Sequence, residues 1–216
     1  MFYEISKRLL DIVGSVFALV IFAPILILFA ILVKLEDGGP VFVEVASCTR
    51  LGKNRKSFYM YKFRSMIPHA HERMLNDPEF KKFFAVWKAQ GKLKVDEDPR
   101  ITKIGRIIRK YDLDELPQFI NVLIGNMSIV GPRACFQDEI DRYVKEFPEA
   151  EKYFDGNFSI KPGITGPWQI SGRNSITVVD RFRMNAEYAK RKNVFYDIYI
   201  IFKTPIAMIS RVGAYE

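Results

Sequence analysis

From Ile12 to Val33 the chain runs for 22 residues without a charged side chain. As a straight α-helix such a run reaches about 33 Å, enough to match the hydrocarbon core of a bilayer. A secretory leader fits it poorly. The run is longer than an h-region, and Leu32-Val33-Lys34 lacks a small-residue cleavage pattern. A buried core helix is seldom apolar for so long. Pro24 stands near the middle, after Ala23. Proline removes a backbone donor and pushes the residue before it out of the helical region, so a break is expected at Ala23-Pro24. Lys7 and Arg8 precede the run and Lys34 follows it, so the positive-inside rule gives no orientation. Two topologies stay open on these residues: a helix that enters, bends at Pro24 and returns to the same face, and a proline-containing span.

The remainder is long enough for one domain with a real core. Most of the charge sits there, and the net charge of +8 asks for an anionic partner. Nucleic acid, phospholipid headgroups and phosphorylated substrates all qualify on charge. The apolar run does not suit a soluble nucleic-acid binder, and no nucleic-acid-binding motif is present, so no nucleic acid is expected. Cys48 and Cys135 lack metal or redox spacing and read as two reduced thiols. Neither a Walker loop nor a G-x-G-x-x-G fingerprint occurs, which leaves ATP hydrolysis and dinucleotide redox chemistry unsupported. His69 and His71 read as solvated side chains on a polar helix.

The expected fold is α+β and mainly helical, with a small β element. Gly38-Gly39-Pro40 closes the apolar block, and Val41–Val45 and Ser57–Phe63 read as strands around a basic turn at residues 50–56. His69–Gly91 reads as one amphipathic helix, with Phe80, Phe83, Phe84 and Trp87 at helical spacing. Ile101–Lys110 places isoleucines on one face and cations on the other. It suits a surface helix docked on the core or one lying at an anionic membrane interface. Leu116–Leu123 reads as a short helix with Pro117 in its first turn and Gly125 at its stop. Phe195–Ile209 is apolar, is interrupted by Pro205, and either packs on the core or dips into the interface.

Asp112-Leu113-Asp114-Glu115 precedes that short helix. Adjacent carboxylates at a helix start serve as an ordinary acidic cap, or, kept ionised, attack phosphorus or hold a hard cation such as Mg²⁺. Cations accompany glycine or proline at Lys62-Phe63-Arg64, Gly131-Pro132-Arg133, Lys161–Gly166 and Gly172-Arg173-Asn174, the last preceded by Trp168 and Gln169. Each alone is a solvated turn or a phosphate contact, because glycine admits close backbone donors and arginine binds phosphate bidentately.

Taken in order, Tyr61–Met66, Leu113–Gln118, Asn121-Val122-Leu123, Met127–Arg133, Lys161–Gly166 and Gly172-Arg173-Asn174 resemble the bacterial sugar transferase family, the monotopic polyprenyl-phosphate phosphoglycosyl transferases. The likeness runs from about Lys7 to Met208. It implies a re-entrant helix-break-helix anchor over residues 1–36, broken at Ala23-Pro24, and a catalytic domain over 37–216 with interfacial amphipathic helices. The expected location is the cytoplasmic face of the bacterial inner membrane. It implies that Asp114 attacks the β-phosphate of a UDP-sugar and releases UMP. Polyprenyl (undecaprenyl) phosphate then takes the sugar phosphate, the first membrane step of polysaccharide or glycoconjugate synthesis. Glu115 is the partner of Asp114 in the chemistry and in Mg²⁺ binding. Lys62, Arg64, Arg109, Arg133 and Arg173 fall at basic family positions and are expected on substrate phosphates. Gly163, Thr165, Gln169, Gly172 and Asn174 are expected in the nucleotide-sugar loops. Inner-membrane lipid is a further expected partner, and a homodimer is compatible with the pattern.

Some positions depart from the family pattern. Ala23 replaces a common Ser, Ala134 follows Gly-Pro-Arg where Pro is common, and Glu44–Thr49 is a longer link than usual. Residues 67–100 resemble the insert of larger members, so the chain reads as a minimal enzyme or as the separated catalytic part of one. The competing expectation is a membrane-anchored scaffold without turnover.

Overall fold

The computed structural model describes residues 2–90, 98–172 and 175–209. In chain order the elements are α1 (Phe2–Asp37), α2 (Val45–Cys48), β1 (Thr49–Leu51), β2 (Ser57–Tyr59), α3 (Ala70–Asn76), α4 (Lys81–Gln90), α5 (Lys103–Lys110), α6 (Gln118–Ile124), β3 (Ser128–Val130), α7 (Gln137–Glu146), α8 (Phe154–Phe158), β4 (Gly163–Thr165), α9 (Pro167–Ser171), α10 (Val178–Arg191) and α11 (Val194–Ile209). Helix dominates, as the sequence suggested. Among the described residues the strands form two small pairs, β1 with β2 antiparallel and β3 with β4 parallel.

Several expected elements take other forms. Val41–Val45 is not a strand. Only Phe42 bridges, to Phe63, and the Ser47 N–H bonds the Glu44 carbonyl as the chain turns into α2. The strand from Ser57 stops at Tyr59. His69–Gly91 is not one helix. Pro78 cannot continue α3, and Asp77 accepts the Glu79 N–H at 3.0 Å to start a separate 3₁₀ turn before α4. Lys161–Gly166 contains β4 rather than only a loop. Its glycines serve close backbone packing: a Cβ on Gly163 would lie 2.1 Å from the Gly131 nitrogen. The break expected at Ala23-Pro24 is not found: α1 continues through Pro24 as one helix.

The chain forms two compact units. One holds residues up to Val20, Cys48–Met60 and the chain from Gln118 on; the other holds Ile21–Ser47 and Tyr61–Pro117. The boundary inside α1 therefore falls one turn before Pro24, where the Val20 carbonyl loses its helical donor.

In the first unit Leu51, Ile140, Phe154, Phe158 and Phe182 form an apolar core with Cys135 and Tyr143. Beside it lies a buried polar stripe along the start of α1. Tyr3, Lys7, Asp11 and Ser15 follow a four-residue spacing, which puts them on one helical face. Lys7 lies 3.3 Å from both Asp11 and Asp197. Asp197 also accepts from Tyr3 and Tyr188. Asp11 accepts from the Ser128 hydroxyl and the Ile129 N–H. These carboxylates are almost fully buried; they share the single Lys7 ammonium, and hydrogen bonds from Tyr3, Tyr188, Ser128 and the Ile129 N–H supply the rest of what burial of charge requires.

In the second unit the later part of α1 packs Leu26, Phe29, Ala30 and Val33 on Phe63, Ile104, Ile108 and Leu113. Elsewhere on the same helix Phe17, Val20, Ile27, Leu28 and Ile31 are exposed. This is the one helix among the described residues long and apolar enough to cross a membrane.

Candidate active site

Within the second unit, the segment Tyr61–Arg64 is extended. The Val43 N–H bonds the Lys62 carbonyl and the Arg64 N–H bonds the Val41 carbonyl. Successive side chains of an extended chain point to opposite sides. Phe63 enters the apolar cluster, and the neighbouring Lys62 and Arg64 meet polar groups. The Phe63 N–H donates to the Asp114 carbonyl at 3.2 Å, which ties this segment to the acidic turn.

That turn begins at Asp112, whose φ of +53° is a left-handed conformation that aspartate tolerates better than most residues. Leu113–Glu115 then forms a single 3₁₀ turn, with Leu113 anchored in the apolar cluster. Asp114 is 4% exposed, and its Oδ2 lies 2.8 Å from the Lys62 ammonium. Glu115 is more open, with its Oε1 3.9 Å from the same ammonium. The expected helix-start cap is therefore not the arrangement found: the carboxylates belong to their own turn and meet a lysine.

Arg109, near the end of α5, donates from Nε to the Ser65 hydroxyl at 2.9 Å. Burial pushes the Arg109 guanidinium below its ordinary pKa, and the negative charges of Asp114 and then Asp98 oppose that shift. Lys62 and Arg109 thus place two cations in the field of Asp114.

Arg64 stands apart from this group. Its Nε donates to the Pro40 carbonyl, Nη1 to Asp37 and the Met66 carbonyl, and Nη2 to Asp37 and the Val33 carbonyl. A guanidinium has five N–H donors, and all five are engaged inside the protein. Its expected role on substrate phosphate has no donor left to serve it. Arg64 instead clamps the end of α1.

The remaining expected residues lie in the first unit. Arg133 is exposed after β3. Thr165 shares a 2.6 Å hydrogen bond with Thr204, whose own hydroxyl donates to the Ile200 carbonyl, so Thr165 is the donor. Gln169 and Gly172 line a cleft of about 180 Å³ with Lys203 and Ile206. Arg173 and Asn174 lie outside the described residues. For Mg²⁺, among the described residues no group of three or more His, Cys, Asp or Glu forms a ready cage. Two adjacent carboxylates still suit this ion, which commonly takes one or two carboxylates and completes its shell with water and substrate phosphates.

Sequence reasoning missed the Lys7, Asp11 and Asp197 network and the Asp37–Arg64 clamp, and also Gly105 in α5, whose Cα side faces the Ser65 carbonyl so closely that an added Cβ would lie 2.0 Å from it. The four-residue spacing from Tyr3 to Ser15 was a visible signal for the first. Nothing local marked Asp37 as the partner of Arg64, 27 positions away.

The family model described as "Bacterial sugar transferase" matches residues 2–211. "Undecaprenyl-phosphate galactose phosphotransferase" of Salmonella typhimurium is 42% identical over 213 residues, covering 97% of this chain and 41% of the relative. An "Uncharacterized sugar transferase" of Haemophilus influenzae is 41% identical over 216 residues, covering 98% and 42%. "Exopolysaccharide production protein ExoY" of Rhizobium meliloti is 37% identical over 218 residues, covering 97% and 88%. The chain therefore spans about two fifths of the first two relatives and most of the third.

Proposed function

Because this chain belongs to the bacterial sugar transferase family, we propose that it transfers a sugar phosphate from a UDP-sugar to undecaprenyl phosphate, with Asp114 as the nucleophile. The observation that carries this reading is the buried Asp114 carboxylate held 2.8 Å from Lys62, with the charge of Arg109 also acting on it. The relative named for undecaprenyl-phosphate galactose phosphotransfer supports the lipid acceptor and the transfer of a sugar phosphate.

In the first step an Asp114 carboxylate oxygen bonds to the β-phosphorus of the donor. The bond from that phosphorus to the bridging oxygen breaks, and UMP leaves with the oxygen and its electrons. In the second step an oxygen of undecaprenyl phosphate attacks the same phosphorus, frees the Asp114 carboxylate and forms the lipid diphosphate sugar. Dividing the exchange in this way is covalent catalysis with ping-pong kinetics. Lys62 holds Asp114 in place and, with Arg109, offsets charge on the phosphoryl oxygens, the main demand of phosphoryl transfer. Asp114 and Glu115 would hold Mg²⁺, which when bound neutralises phosphate charge.

Arg133, Gly163, Thr165, Gln169 and Gly172 are proposed as elements of the first unit that serve the donor, each to be tested by its own substitution. The exposed apolar side chains of α1 support membrane association, with re-entrance at Ala23-Pro24 and the cytoplasmic face of the inner membrane as the proposed topology.

Exchange of labelled UMP into UDP-sugar requires only the first step. Asp114→Asn should lower it by roughly a thousand-fold or more while leaving thermal stability near that of the parent. Near-normal exchange in a folded Asp114→Asn variant would remove Asp114 from the nucleophile role.

A further inference from the structure

Among the described residues three arginines are about nine-tenths buried: Arg50, Arg64 and Arg100. Arg64 has all five donors engaged, and Arg100 holds the Asp98 carboxylate through Nε and Nη2. Arg50 differs. Its one side-chain hydrogen bond among the described residues runs from Nη1 to the carbonyl of the adjacent Thr49, at 3.2 Å. No ion pair to a carboxylate accompanies it there. Its guanidinium instead lies over the Phe136 ring, 3.1 Å from the centroid.

A second cation stands close by. The Leu51 N–H bonds the Cys135 carbonyl at 2.8 Å, and Arg50 and Arg133 flank that bridge. The charge of Arg133 is felt at Arg50. Burial, opposed by nearby Cys48 and Glu139 and reinforced by Arg133, lowers the Arg50 pKa to about 10. Among the described residues no hydrogen bond or ion pair joins Glu139 to Arg50; the Glu139 Oε2 accepts the Phe136 N–H at 2.9 Å as a helix cap.

A buried guanidinium without a counter-charge is unfavourable by several kcal/mol, and a cation–π contact returns only about 2. Stacking occupies one face of the group and leaves the in-plane N–H edges available for a bidentate oxyanion. We propose that Arg50, fixed on Phe136, and Arg133 form a phosphate-binding site within the first unit. The ligand chemistry is a phosphate oxyanion, supplied by a nucleotide or by a lipid headgroup. For Arg133 this rests on the proposed function, which already places that residue toward the donor; it goes beyond that reading in assigning Arg50 a ligand, and it is read by binding rather than turnover.

The full chain in nanodiscs is titrated with inorganic pyrophosphate and with UDP, and its binding to added phosphatidylglycerol vesicles is measured. Arg50→Met and Arg50→Lys are compared with the parent, with Arg133→Ala as a third variant. In the absence of ligand, Arg50→Met should melt at or above the parent temperature, because it removes an uncompensated buried charge. Affinity for the preferred probe should fall about ten-fold or more in Arg50→Met and Arg133→Ala, and measurably in Arg50→Lys, which keeps the charge but not the fork. Loss confined to pyrophosphate and UDP assigns the site to nucleotide phosphate; loss confined to vesicles assigns it to a headgroup. Unchanged affinity for all three probes in Arg50→Lys and Arg133→Ala overturns the proposal, as does a destabilised Arg50→Met with probe binding intact. Because Asp114 is untouched, exchange by an Asp114→Asn variant and binding at Arg50 succeed or fail independently.

Discussion

A Cβ placed on Gly105 would lie 2.0 Å from the Ser65 carbonyl oxygen, and the Ser65 hydroxyl is also where Arg109 is held. Any side chain there must push α5 away from Tyr61–Ser65 and carry Arg109 with it. Gly105→Ala should destabilise the protein by about 1–3 kcal/mol and lower UMP exchange more than it lowers donor binding. Thermal unfolding and a separation of kcat from KM check this together. At this scale the sequence displayed the acidic pair and its lysine. Asp114, Glu115 and Lys62 stood in recognisable motifs and meet in space. Arg64 was visible in the same motif, but its use was not. Whether an arginine faces a substrate or a carboxylate depends on a partner distant in the chain, and Asp37 carried no mark of that role.

Among the elements, α1 is the most informative. Its apolar run was plain in the sequence, whereas its first four turns hide a polar face that ties it to α11 and β3. Tyr188 lies in this network. Burial first, then the charge and hydrogen bond of Asp197, raise its phenol above the ordinary value near 10. A raised folded pKa gives stability that is complete below the unfolded value and is lost as pH climbs above about 10 toward the folded one. Unfolding free energy should therefore fall on that alkaline side. Tyr188→Phe should flatten the fall while lowering stability at neutral pH by about 1–2 kcal/mol, as read by denaturant titration at several pH values. The element boundaries that the sequence obscured share one cause. Short strands and 3₁₀ turns are settled by single long-range contacts, such as Phe42 with Phe63, that no local pattern encodes.

For the whole molecule, the class was legible and the division was not. Helical periodicity and the family motifs led to a mainly helical α+β chain. The two units, however, share α1 and interleave along the chain, so no composition shift marks their boundary. The proposed topology makes a direct prediction at this scale. Tags placed at Met1 and Glu216 should both be labelled from the cytoplasmic side of sealed cells opened on that face. Labelling on opposite sides would establish a true span and remove the re-entrant proposal.

The alternation along Tyr61–Arg64 bears on how this stretch can vary. Substitutions that keep a cation, an aromatic and a guanidinium in turn leave each on its own side. A single inserted or deleted codon would instead trade places between ring and ammonium, leaving Asp114 without its cation and a charge among Val33 and Ile108. Length, more than composition, is the property this short stretch has to preserve.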